Sequence, residues 1–316
     1  MLQALPEFVF QSPVRLATEK PRGQSPCFHS FCLTSGAGAR VHVACMTVHE
    51  KRQYRGQSFY SPKAICLLSL LPCLDTLRRL LRDVLAAARF EAASISGGMT
   101  VVQRLCAHLF FEVPVPPDQT TQVVFATGAG RSYCLLDQAF CRDFSFRPLF
   151  MSLSLPRIVE LVTLVLLEQK VVLASETMSA ALISATMEVL LALLFPFEWE
   201  HLYIPVLPAQ MRWTLDCPAP FLIGLPGGLK DTAVPEDVTV FDLDSDELHG
   251  FPSDIPRAPQ VVRQPLQWLK SAYQSEHRPG NRIYWSKFHL EDPGLPRPRR
   301  SSPPSRRASG SGPSLA

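Results

Sequence analysis

Gly224-Leu225-Pro226-Gly227-Gly228-Leu229-Lys230 carries the ingredients of a phosphate-cradling loop, three glycines and a lysine. Such a loop needs four residues between its flanking glycines, then Lys and a Ser or Thr whose hydroxyl reaches the metal. The spacing here is wrong and Asp231 follows Lys230. Gly128-Ala129-Gly130-Arg131-Ser132-Tyr133 lacks the third glycine of a dinucleotide fingerprint. His49-Glu50 opens like a zinc-helix motif, but Gln53 stands four residues after His49. There is no G-x-S-x-G, and the eight histidines have no ligand spacing. His201, beside Trp199, reads as a packed or partner-facing histidine. The acidic run Asp242–Glu247 lacks the glycine hinge and terminal bidentate glutamate of a calcium loop, so it reads as a solvated loop after a strand. The expectation is no catalytic residue, no metal site and no cofactor. In the tail, Arg299-Arg300-Ser301-Ser302 and Arg306-Arg307-Ala308-Ser309 resemble sites for basophilic kinases, with Ser301, Ser302 and Ser309 as acceptors.

Apolar residues make up 47% of the 316, and charged residues 19%, a globular composition. The net charge of +3 lies in the tail, where five arginines after Leu290 meet only Glu291 and Asp292. The neutral body argues against a dedicated nucleic-acid binder. Nine cysteines, an odd number without Cys-x-x-Cys spacing, read as buried small hydrophobes in a reducing compartment. The stretch 159–197 is apolar, but its uncharged runs fall short of the ~20 residues a membrane span needs. With no secretory pattern at the N-terminus, the expectation is a cytoplasmic chain that visits vesicle or endosomal membranes only through partners.

The elements follow from periodicity. Phe8-Val9-Phe10 reads as a short strand. Phe28–Thr34 and Arg40–Glu50 read as strands joined through 35–39, and Lys63–Leu71 suits a central strand. After Pro72, leucines at helical spacing predict a helix whose other face, with Asp75, Arg78, Arg79, Arg82 and Asp83, is solvated. Residues 92–98 read as a loop, Met99–Phe110 as a helix and Gln122–Ala126 as a strand. Ser154 and Pro156 start a helix to about Glu168. Lys170–Ala174 is a short buried strand. Thr177–Leu194 is a helix apolar nearly all round, relieved by Ser184 and Glu188. Tyr203–Val206, Phe221–Gly224 and Val238–Leu243 are strands, which suggests a parallel α/β sheet with a crossover helix. Gln267–Tyr273 suits a short helix, and the Pro/Ser/Arg-rich tail cannot bury a core.

Three stretches resemble the core of a DENN domain: Leu166–Ser175, Leu193–Pro208 with its Phe195-Pro196-Phe197-Glu198-Trp199-Glu200-His201, and Cys217–Gly224. Leu5–Phe8, Phe28–Thr34 and Pro62–Ser69 resemble the upstream DENN module. The resemblance implies a two-lobed α/β fold, with a longin-like lobe at 1–126, a core DENN lobe at 127–262 and a largely disordered tail at 263–316. It implies guanine-nucleotide exchange on a Rab small GTPase, a regulatory action without bond-making chemistry of its own. The alternative is a non-catalytic Rab-binding or scaffold protein. The downstream DENN module is not matched, so the expectation is a truncated or alternatively ended form with apolar surface exposed on the second lobe. Glu168, Gln169, Glu198, Trp199, Glu200 and His201 are the candidate partner-binding residues.

Overall fold

The structure, a computed structural model, describes residues 3, 5–10, 14–19, 26–34, 40–91, 100–117, 121–128, 130–136, 146–230, 232–250, 252 and 255. The connections 35–39 and 92–98, the helix expected at 267–273, the tail and its three serines lie outside them.

The chain is α/β. Strands β1 (Cys27–Thr34), β2 (Arg40–Tyr54) and β3 (Gln57–Ser69) form an antiparallel meander in that order. β2, not β3, is central. The apolar run of β3 is real, but it serves two faces of an edge strand. Val43 and Cys45 point to one side of β2 and Ala44 and Met46 to the other, and all four are buried. That two-sided burial removes the alternation a half-solvated strand would show. Phe8 and Val9 lie in a helix, α1 (Leu5–Val9), instead of a strand. A three-residue apolar run has no readable period. Pro6 in the first turn and the Phe10 N–H donating to the Pro6 carbonyl (3.0 Å) carry the turn through. The Phe8 ring stacks on Phe31 at 5.5 Å.

Helix α2 (Leu74–Glu91) buries Leu74, Leu77, Leu80, Leu81 and Val84. Its other face is not solvated as expected. Arg78 is buried, donating to Asp75 Oδ1 through Nε and Nη2 (3.0 and 2.6 Å), with its guanidinium over Phe28. Asp83 is covered by a hairpin, β4 (Gln122–Ala126) and β5 (Ser132–Leu136), β5 having no counterpart in the sequence reading. Between α2 and the hairpin come α3 (Val101–Ala107), capped by Thr100 in a box with Gln103, and a wide turn over His108–Glu112.

The second half is built on a five-stranded sheet ordered β10-β9-β6-β8-β7, from β6 (Val171–Ser175), β7 (Leu202–Ile204), β8 (Phe221–Pro226), β9 (Thr239–Asp242) and β10 (Glu247–His249). β9, β6, β8 and β7 run parallel, as expected, and β10 returns antiparallel on the edge. α4 (Arg147–Ser152), α5 (Leu155–Leu166) and α6 (Ala180–Leu193) complete it. No helix among the described residues is long and apolar enough to cross a membrane.

The registers give the layering. Tyr203, Leu222 and Gly224 share one sheet face, and α6 covers it through Ile183. Val172, Ala174, Ile204, Ile223 and Leu225 share the opposite face, in one core with Phe8, Phe31, Leu33, Val43 and Cys45 of the first half. α6 also reaches β1: Ser184 Oγ lies 3.0 Å from Ser30 Oγ. Glu188, 3% exposed, accepts from Tyr203 Oη (2.8 Å), with His42 Nδ1 4.0 Å from the same oxygen and Arg40 over the Tyr203 ring. Burial, then the Glu188 carboxylate, hold the Tyr203 phenol well above its ordinary range, so it stays a donor. Tyr203→Phe is expected to cost about 1–3 kcal/mol in urea unfolding, because it strips a buried carboxylate of its donor while leaving the ring packed.

Candidate functional site

None of the motifs weighed for catalysis holds a reactive arrangement. Gly224 lies inside β8, Gly227 and Gly228 make a left-handed turn (φ 87° and 72°), and Lys230 Nζ pairs with Glu176 Oε2 at 2.8 Å. No helix follows the turn to present amides to a phosphate. The acidic run is the β9–β10 hairpin turn, not a solvated loop. Asp244 accepts from the Ser175 and Thr177 hydroxyls (2.7 and 2.5 Å) and the Glu176 amide (2.6 Å), which pins the β6–α6 connection. Asp246 accepts from the Ser154 amide (2.8 Å) at the start of α5. Among the described residues no three His, Cys, Asp or Glu are grouped to hold a metal ion.

The face that does gather the candidate residues lies where α5 and α6 end, below the starts of β6 and β7. Apolar spacing carries α5 to Leu166. The helix then stops in a left-handed turn. The Glu168 N–H donates to the Val165 carbonyl and the Gln169 N–H to the Leu164 carbonyl, both at 3.0 Å, with Glu168 at φ 54°. This is the six-to-one, five-to-two closure that glycine ordinarily occupies. A residue with a Cβ there is held against a cost of about 1–2 kcal/mol. The strained residue also carries a charge. Its Oε1 lies 3.2 Å from His201 Nε2.

His201 arrives from the segment after α6. There Phe195 and Phe197 are exposed, Phe197 at 66%, and the Phe197 N–H donates to the Leu194 carbonyl (2.9 Å). Glu198 and Glu200 are exposed on either side of Trp199. Trp199 points inward, 4% exposed, its Nε1 donating to the Leu202 carbonyl (3.2 Å) and its ring edge-on to His201 at 5.2 Å. Gln169 folds back on the Leu167 carbonyl (2.9 Å). Glu168, Trp199 and His201 are thus brought together. Gln169 borders them, and Glu198 and Glu200 stand on the same segment without a direct tie to the other three.

Apolar surface was expected on this half of the chain, but its members were not. Leu166 and Leu167 continue the helix pattern and read as core, yet both are exposed, as are Phe195 and Phe197. Phe195-Pro196-Phe197 follows directly on the end of α6, where the helical pattern stops. The result is four apolar side chains with three carboxylates, Glu168, Glu198 and Glu200. Its exposed groups are apolar and acidic, with Glu168 and His201 in close approach.

Comparison with known proteins agrees with this reading of the fold. The family profile described as DENN (AEX-3) domain matches residues 60–246, and the uDENN domain profile matches residues 1–48. The chain is similar to the DENN domain and WD repeat-containing protein SCD1 of Arabidopsis thaliana, 27% identical over 250 residues, covering 74% of this chain and 20% of that protein. It is 30% identical over 228 residues to the human DENN domain-containing protein 2B, covering 69% of the chain and 19% of that protein. It is 29% identical over 279 residues to the mouse DENN domain-containing protein 2A, covering 83% and 26%. The chain therefore spans about a quarter or less of the length of these relatives.

Proposed function

Because the chain belongs to the DENN (AEX-3) domain family, we propose that it is a guanine-nucleotide exchange factor for a Rab small GTPase, acting in the cytoplasm and on trafficking membranes through that partner. The family is generally one of regulatory Rab exchange factors. Exchange requires no bond-making groups. A GTPase holds its nucleotide through a phosphate loop, Mg²⁺ and switch segments. A protein that binds the opened, nucleotide-free form better than the closed one shifts the population toward release. A hundredfold preference amounts to about 3 kcal/mol, within reach of a modest apolar–ionic surface.

The observation that carries the reading is Glu168. A glutamate kept in a glycine conformation, its exposed carboxylate against His201, is strain retained at a surface and not in the core. We take residues 1–126 and 127–262 as the two lobes that grip the GTPase, and the core shared between the two halves as what fixes their spacing. Glu168→Gly is expected to leave stability unchanged or raise it by up to about 1 kcal/mol, since glycine relieves the left-handed strain. Combined with Phe197→Ala it is expected to slow GDP release by tenfold or more, while thermal unfolding shows the fold intact. An unchanged release rate in that folded double variant would place the Rab elsewhere. Rab binding without any acceleration of release would favour the scaffold alternative.

A further inference from the structure

The antiparallel register of β2 and β3 sets Cys45 directly opposite Cys66. Directly opposed residues have Cα atoms about 4.5–5.5 Å apart, inside the ~4.4–6.8 Å window a disulfide spans. The two side chains leave the sheet on the same face. That face carries α1 and the core shared by the two halves. Cys45 lies within that core and Cys66 packs against it. The pair is asymmetric. Cys45 is wholly buried between His29 of β1 and Cys66, whereas Cys66 on the edge strand is half-buried. The other cysteines of this sheet region are placed differently. Cys73 sits on the α2 side against Ser69 Oγ, and burial pushes the Cys32 thiol up to about 12.

We propose that Cys45 and Cys66 are a redox-responsive thiol pair that closes to an intramolecular disulfide when the protein meets a two-electron oxidant of the peroxide class. Cys66, reachable from the sheet edge, attacks a peroxide oxygen. The O–O bond breaks, leaving a Cys66 sulfenic acid and, with hydrogen peroxide, one water. The Cys45 sulfur then attacks the Cys66 sulfur and expels the hydroxyl as a second water. The two thiols give up two electrons and two protons, and the peroxide takes them. The division of labour follows exposure: Cys66 on the edge strand is half-buried, whereas Cys45 is wholly buried, where the neighbouring Cys66 and burial push its thiol up. The bond would tie β2 to β3 beneath α1, on the side where the first half meets the second.

The test uses the reduced full chain with Cys73→Ala, so that the tryptic peptides 41–51 and 64–78 each hold one cysteine. After graded hydrogen peroxide, the remaining thiols are alkylated and the digest is analysed by mass spectrometry. The expected product joins these two peptides at the loss of two hydrogens, consumes two thiols per chain and is reversed by dithiothreitol. In the Cys45→Ala variant, dimedone is expected to trap a Cys66 sulfenic acid at least tenfold more than when Cys45 is present. In Cys66→Ser, Cys45 is expected to stay unreacted. Three results would overturn the assignment: a Cys66 that survives the same peroxide range, a Cys66 bonded to a different cysteine, or equal dimedone capture with and without Cys45.

Discussion

Gly224→Ala is expected to cost more than about 3 kcal/mol and to leave little folded protein, the largest effect of a methyl group added at any glycine among the described residues. A Cβ at Gly224 would stand 2.0 Å from the Pro205 carbonyl oxygen and 2.7 Å from Ile183 Cγ2. Neither can step aside. Pro205 follows β7, and the Leu207 N–H donates back to the Gly224 carbonyl at 2.8 Å. Ile183 is fully buried in α6, so relief would mean lifting the helix from the sheet. Ordinary overpacking costs about 1–3 kcal/mol. A clash with backbone on one side and a close-packed helix on the other belongs above that range. Urea unfolding beside Gly128→Ala provides the control, because a Cβ at Gly128 meets open space and should shift stability by no more than about 0.5 kcal/mol.

Asp83→Ala is expected to be nearly as damaging, about 2–4 kcal/mol, because two buried hydroxyls lose their acceptor. The carboxylate is buried and accepts from Thr127 Oγ1 (2.9 Å), Arg131 Nη1 (2.7 Å) and Tyr133 Oη (2.6 Å), so one side chain ties α2 to the β4–β5 turn and to β5. Burial, then Asp83 itself, push the Tyr133 phenol up to about 12, so it remains a donor across the working pH range. Removing Asp83 leaves two buried hydroxyls and a half-exposed guanidinium without their acceptor. Adding Tyr133→Phe should recover part of the loss, about 1 kcal/mol or more, since the orphaned hydroxyl goes with it. If Asp83→Ala unfolds at the wild-type urea midpoint, the hairpin is not held by this carboxylate.

Asp83 also marks a limit of reading the sequence. Its helix was legible from leucine spacing, because periodicity reports the buried stripe. The second burial, by a hairpin about 45 positions on, leaves no trace in the helix pattern. α5, β6, α6 and β8 were legible for the same reason as α2, as was the parallel sheet they build. Phe8 and Val9 were not, since three apolar residues suit either period. Glu188 and Ser184 stood out correctly as the polar break in α6, but their partners Tyr203 and Ser30 come from two different sheets. In the candidate site, sequence singled out Glu168 and His201, which meet, and Trp199, which turns inward. It did not single out Leu166, Leu167, Phe195 or Phe197, which lie at or just past the ends of α5 and α6, where the buried stripe stops.

The measurement that reaches the central claim most directly is release of labelled GDP from a panel of Rab proteins with and without the full chain. The account predicts acceleration for one or a few Rabs, lost in the folded Glu168→Gly/Phe197→Ala variant. No acceleration for any Rab, by a chain that circular dichroism shows to be folded, would contradict it.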